Sequence, residues 1–246
     1  MNNPLFLKKD QEDFENMITP VVLKPLVSLW WIGLISSIFI SFCIVQIAIR
    51  IPPDKRRILM ITMGISILLI EALQQVYYLH FDLWSIKRSI PLHLCGIAII
   101  IAGISMFRPS QIGFEFLALM GSPGALHALL TPQFNHGDFP FLIFKYYFGH
   151  VAIMLVPLFL AIVEGYRIRK TAWVNVFFLS QGILLFVGLS NLVLGSNYMY
   201  LVKKPLVNNP MIIGEWPWYI LGLEIMGLIH ILIFYAGYRK LKPLPY

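Results

Sequence analysis

Residues 27–49 read VSLWWIGLISSIFISFCIVQIAI, from Val27 to Ile49, without one Asp, Glu, Lys or Arg. As an α-helix rising about 1.5 Å per residue, this run is longer than the roughly 30 Å hydrocarbon core of a bilayer. Working outward, six more apolar stretches follow: Ile58–Leu79, Pro91–Phe107, Ile112–Leu130, Phe141–Val163, Ala172–Leu194 and Trp216–Gly237. The connections between them are short. The pattern predicts an all-α fold, a polytopic membrane helix bundle with seven transmembrane helices. Residues 1–26 form a polar arm and lead-in, and residues 27–246 the transmembrane domain. No short apolar region with a small-residue cleavage site opens the chain, so a signal peptide is not expected.

Composition agrees. Of 246 residues 58% are hydrophobic and 13% charged, and mean hydropathy is +0.75. Soluble domains run at about 45–50% apolar and about 25% charged. A water-soluble globule, a disordered chain and a disulfide scaffold are excluded. The net charge of +7 includes no basic face of the kind nucleic-acid binders carry, so nucleic acid is not an expected partner. Eleven Lys and Arg, among them Arg50, Arg57, Arg108, Arg169 and Lys240, fall on one side of the predicted spans and eight on the other. By the positive-inside rule the N-terminus lies outside and the C-terminus inside. Cys43 and Cys95 fall at depths more than about 10 Å apart, too far for a disulfide.

Polar side chains at membrane depth are costly unless paired or wet. Glu71, Gln74, Gln75 and Tyr78 share one helical face. His93, Cys95, His127, His150, Asn191, Asn197 and Glu224 fall in the same half of the membrane, whichever way the chain is inserted. This predicts one polar cavity open to one leaflet. The other half reads as apolar apart from Arg and Lys anchors. Pro91 suits a first helical position. On a regular helix His93 and Cys95 point about 200° apart, and share a direction only if the turn is irregular. Gly121-Ser122-Pro123-Gly124 predicts a kinked or broken helix whose freed N–H groups would suit an oxyanion. In an apolar helix a single cysteine or histidine is ordinarily a packing residue, and these residues alone leave enzyme, transporter and receptor or scaffold open. Against transport stand the absence of an internal repeat and the apolar inner half.

Several motifs occur in order from about residue 60 onward: Pro91-Leu-His-Leu-Cys95, Gly121-Ser-Pro-Gly-Ala-Leu-His127 running on to Pro132, Phe148-Gly-His150, Gly195-Ser-Asn-Tyr-Met-Tyr-Leu201 and Trp216-Pro-Trp-Tyr219. They resemble the YwaF-like bacterial integral membrane proteins, which are similar to the animal transmembrane-protein-164 lipid acyltransferases. A more distant similarity is to the androgen-induced hydrolases of fatty-acid esters, which use Thr where this group uses Cys. The resemblance implies seven helices, a nucleophile at Cys95 with His150 as its partner, and residence in a bacterial plasma membrane. The expected function is lipid acyl transfer or ester hydrolysis, with a membrane lipid as substrate. His93 or His127 would touch a lipid phosphate. Gly124 would belong to the oxyanion site, and Glu71 or Glu224 would orient an imidazole. Gln75, Asn197 and Tyr198 would line the cavity. Counted from the predicted outer ends, Cys95 lies about 6 Å deep and His150 about 14 Å. Closing that gap requires tilt, a deeper start of the third helix, or a mediating residue. No metal and no cofactor are expected, because neither a short His/Glu metal motif nor a nucleotide-binding loop is present.

Overall fold

The computed structural model describes residues 19–206 and 212–241; residues 1–18 of the predicted polar arm lie outside them. The helices are α1 Ser28–Ala48, α2 Pro53–His80, α3 Leu94–Phe107, α4 Gln111–Leu130, α5 Pro140–Ile162, α6 Ala172–Leu194 and α7 Trp218–Lys240. Six are long and apolar enough to cross a membrane; α3, with 14 residues, is the shorter apolar one. The chain is therefore a multi-pass membrane protein. Local sequence sets the ends. Pro53 and Pro140 open α2 and α5, where the absent N–H has no intrahelical partner to lose. Gly195 closes α6 in the left-handed region at φ 59°, which favours glycine.

The buried core gathers around α4. Phe114, Phe116, Leu117 and Leu119 pack against Ile99, Ala102 and Met106 of α3 and Val156, Phe159 and Leu160 of α5. On α1, α6 and α7 the large apolar side chains instead point outward, as with Ile38, Phe39, Leu192 and Ile233. A broad apolar exterior is stable only against hydrocarbon. Between α2 and α3 close approach depends on small residues. A Cβ on Gly103 would sit 2.6 Å from Leu68, and one on Gly64 2.7 Å from Phe107.

Three expectations change. First, α4 is not broken at Pro123. Residues Leu117–Gly121 form a π-helical turn, and Gly121 stays helical at φ −64°, ψ −51°. The wider turn gives room to the proline ring and to the carbonyl left without its N–H partner. The Ser122 hydroxyl donates to Leu117 O at 2.9 Å. No run of backbone N–H groups is freed there. Second, α3 begins at Leu94 rather than Pro91. Pro91 is folded back over the first turn, its backbone 2.9 Å from where a Gly96 Cβ would lie. Third, the end of the bundle opposite the polar half is not free of acids. Glu115, fully buried, accepts from Arg169 Nη2 at 2.7 Å, Arg169 Nε at 2.9 Å, Arg169 N at 3.0 Å and Gln111 Nε2 at 2.8 Å.

The lead-in to α1 is structured. Val21–Val22 (β1) pairs antiparallel with Gln133–Phe134 (β2), in register Val21 with Phe134 and Val22 with Gln133. Leu23 N donates to Pro132 O at 2.9 Å, and Trp30 Nε1 to Leu130 O at 2.9 Å. This pins the α4–α5 loop, which covers one side of the cavity.

Candidate functional site

A cavity of about 360 Å³ opens between α2, α3, α4 and α5, under the α2–α3 and α4–α5 loops. Cys95, His150, His93, His127, Glu71 and Gln75 all line it. The fourteen residues of α3 reach only about 21 Å, so the helix falls short of a full crossing. Cys95 lies in its first turn and His150 on α5, and both line the cavity. His93 precedes the helix with extended backbone, at φ −69° and ψ 150°. That irregular turn lets His93 and Cys95 face the same cavity.

Each imidazole is fixed by what it touches. His150 Nδ1 lies 2.7 Å from Tyr146 O, so Nδ1 donates and Nε2 keeps its lone pair. Nε2 has no protein partner among the described residues. His93 Nδ1 accepts from Met199 N at 3.2 Å. His230 Nδ1 donates to Met226 O at 2.6 Å, which makes its Nε2 the acceptor for His127 Nε2–H at 2.8 Å. His127 is thereby left with a lone pair on Nδ1. Glu71 pairs with Lys145 Nζ at 2.9 Å, joining α2 to α5 with both side chains largely buried. Gln75 is committed to structure: its amide donates to Ser89 O at 3.1 Å and accepts from Trp84 Nε1 at 3.1 Å.

Four predicted site residues do not line this cavity. Gly124 packs toward Leu94 on the continuous α4. Asn197 organises its own loop, accepting from Val202 N at 2.9 Å and Lys203 N at 3.0 Å and donating to Lys203 O at 2.9 Å. Tyr198 is fully buried as a brace; its hydroxyl donates to Ile86 O at 2.7 Å and accepts from Ile90 N at 3.1 Å, while Asn191 holds its backbone. Glu224 accepts from Gln181 Nε2 at 2.5 Å and ties α7 to α6.

Tyr200 takes the place expected of Tyr198. The turn at Tyr198–Tyr200 has Met199 at φ 56° and Tyr200 at φ 55°, so the second tyrosine swings inward. Its oxygen accepts from Gln133 Nε2 and Asn135 Nδ2, each at 3.3 Å, and its own proton finds no acceptor among the described residues. Burial raises the phenol's pKa, so that proton stays on at neutral pH. Sequence reading also passed over Lys145, His136 and His230. Lys145 stands in an otherwise apolar run, His136 in an unpatterned loop, and His230 acts only through His127.

The model of the TMEM164 family matches residues 22–235 of this chain. The chain belongs to that family. The match begins at Val22, in β1, and ends inside α7, and so reaches further toward the N-terminus than the motifs that start near residue 60. Among curated proteins and among solved structures nothing matches. In this TMEM164-family chain no group of three His, Cys, Asp or Glu suited to a metal occurs among the described residues.

Proposed function

We propose that this protein is an integral membrane acyltransferase or lipid-ester hydrolase that works through Cys95 and His150 on a membrane lipid. One observation carries the reading: a cysteine and a histidine with a free Nε2 line the same cavity, and a backbone carbonyl fixes the histidine's tautomer. In the first half-reaction Cys95 Sγ attacks the ester carbonyl while His150 Nε2 accepts the thiol proton. The C–S bond forms, and the tetrahedral oxyanion collapses with cleavage of the C–O bond. His150 returns the proton to the departing alcohol. In the second half a lipid hydroxyl or water gives its proton to His150 and attacks the thioester, and Cys95 leaves as the thiol.

With α4 helical through Pro123, oxyanion stabilisation passes to other groups. The Tyr200 proton and the Lys145 ammonium both serve the cavity. One turn beyond Cys95 and His150 the lining becomes Ile99 and Ile153, consistent with a blind chamber rather than a through-path. The proposed setting is the outer leaflet of a bacterial plasma membrane, with seven spans, the N-terminus outside and the C-terminus inside.

The test is labelling of the purified protein with a thiol-directed acyl-mimic probe, read by intact mass. Wild type is expected to label, Cys95→Ala not at all, and His150→Ala about 100-fold more slowly, the low end of what a general base contributes. Equal labelling of Cys95→Ala would remove the nucleophile assignment.

A further inference from the structure

His136 stands at the end of a chain of donors. Gln74 Nε2 donates to the Tyr78 hydroxyl at 2.7 Å, and that hydroxyl lies 3.2 Å from His136 Nδ1. The hydroxyl has one proton to give and Nδ1 is the acceptor within reach, so the ring proton of His136 sits on Nε2. The rings of Tyr78 and His136 lie against each other, centroids 4.4 Å apart and planes tilted by 32°, which holds the imidazole in place. His136 is only 7% exposed and lines the cavity, yet its Nε2 has no hydrogen-bond partner among the described residues. Buried N–H donors are rarely left so, because the lost hydration costs roughly 1–3 kcal/mol. The chain Gln74–Tyr78–His136 therefore presents a donor with no acceptor among the described residues.

The charges around it select the acceptor. Arg88 lines the same cavity and forms no ion pair among the described residues. Burial chiefly, with the positive charges of Arg88 and Lys145 nearby, holds the His136 imidazole neutral down to about pH 4. Arg88 also borders a second depression on the surface, shared with Ser85, Lys87, Asn197 and Lys203. A basic approach leading to an arginine and a free N–H favours an anion with several acceptor oxygens. A flat, planar carboxylate offers two such oxygens. A tetrahedral phosphate offers oxygens in directions that a ring N–H and a guanidinium on different loops can both meet.

We propose that the mouth of the cavity is a phosphate-binding site in which His136 Nε2–H and the Arg88 guanidinium hold the phosphate oxygens. This rests on the reading that the cavity admits a lipid, and assigns the residues that hold the lipid's phosphate. It does not depend on Cys95 chemistry.

The test uses the full chain in a neutral maltoside detergent, with ligand protection measured by thermal shift and affinity by calorimetry. The probes are dihexanoyl phosphatidylglycerol, dihexanoylglycerol, which lacks the phosphate, and inorganic phosphate. Wild type is expected to bind the phospholipid and not the diacylglycerol. Arg88→Gln and His136→Phe each weaken binding about tenfold or more, the loss of one charge-assisted hydrogen bond. His136→Phe keeps a ring against Tyr78, and Arg88 is exposed, so Arg88→Gln and Arg88→Lys carry the test if the phenylalanine variant misfolds. Binding of inorganic phosphate as strong as that of the phospholipid, equally lost in Arg88→Gln, assigns the site to free phosphate and supports the same chemistry. Equal binding of the diacylglycerol, or unchanged affinity in Arg88→Gln, overturns the proposal. Binding is read without any turnover at Cys95, so an unreactive cysteine in the labelling assay and an absent phosphate site give different results.

Discussion

Replacing Lys145 with Met keeps the stem of the side chain and removes its charge. Glu71 is then left with no polar partner among the described residues, with its side chain 13% exposed. An unpaired buried carboxylate is what makes breaking such a bridge cost about 3–5 kcal/mol, whereas removing both charges together is often nearly neutral. For a chain of 246 residues, each kcal/mol moves the melting midpoint by about 2–4 °C, so Lys145→Met is expected to melt about 6–20 °C lower. Adding Glu71→Gln to it should recover most of that loss, because a neutral amide carries a far smaller desolvation penalty. The assay is a thermal melt of detergent-solubilised protein for both single variants and the double variant. A double variant no more stable than Lys145→Met would refute the argument. It would mean that Glu71 is hydrated through the cavity rather than neutralised by the lysine.

Three further outcomes follow from the same structure. At the opposite end of the bundle Arg169→Ala should destabilise more than Glu115→Ala, since the stranded Glu115 is fully buried while a stranded Arg169 side chain is 48% exposed and rehydrates; the reverse order in thermal melts would contradict this. A Cβ on Gly33 would lie 2.1 Å from the Tyr147 ring, so Gly33→Ala should cost about 1–3 kcal/mol, whereas Tyr147→Phe removes a buried hydroxyl without a partner among the described residues and should be neutral or stabilising by about 1 kcal/mol, both read by thermal melts. His136, held down to about 4 chiefly by burial, contributes stability that is complete above its unfolded value of 6.5 and is lost as pH falls through about 4. Wild type should therefore lose about 3 kcal/mol more than His136→Phe between those limits, measured as the difference in their stability–pH curves.

The membrane architecture was legible because a bilayer enforces it residue by residue. The bounds of α6, Ala172–Leu194, are the same in hydropathy and in structure, while the third segment loses Pro91–His93 to an extended turn that hydropathy does not see. The stripe Glu71, Gln74, Gln75 and Tyr78 could be placed on one face from spacing alone, and all four residues line the cavity. Their partners could not be read. Lys145 arrives from α5 and His136 from a loop without periodicity; outside the stripe, Gln181 on α6 claims Glu224 across a helix interface. Glu115 was hidden by its apolar neighbours, although the arginines following α5 are the counter-charges such an acid requires. Tyr198 and Tyr200 are two residues apart, and only the left-handed backbone at Met199 and Tyr200 decides which one turns inward.

The wide turn at Leu117–Gly121 fixes the phase of everything that follows it in α4. Each residue advances a regular helix by about 100°. Shortening that turn by one position would rotate Ser122–Leu130 by about that angle, swinging His127 off both His230 and the chamber wall. The count of residues between Phe116 and Pro123 thus sets the His127–His230 contact, independently of which side chains fill it.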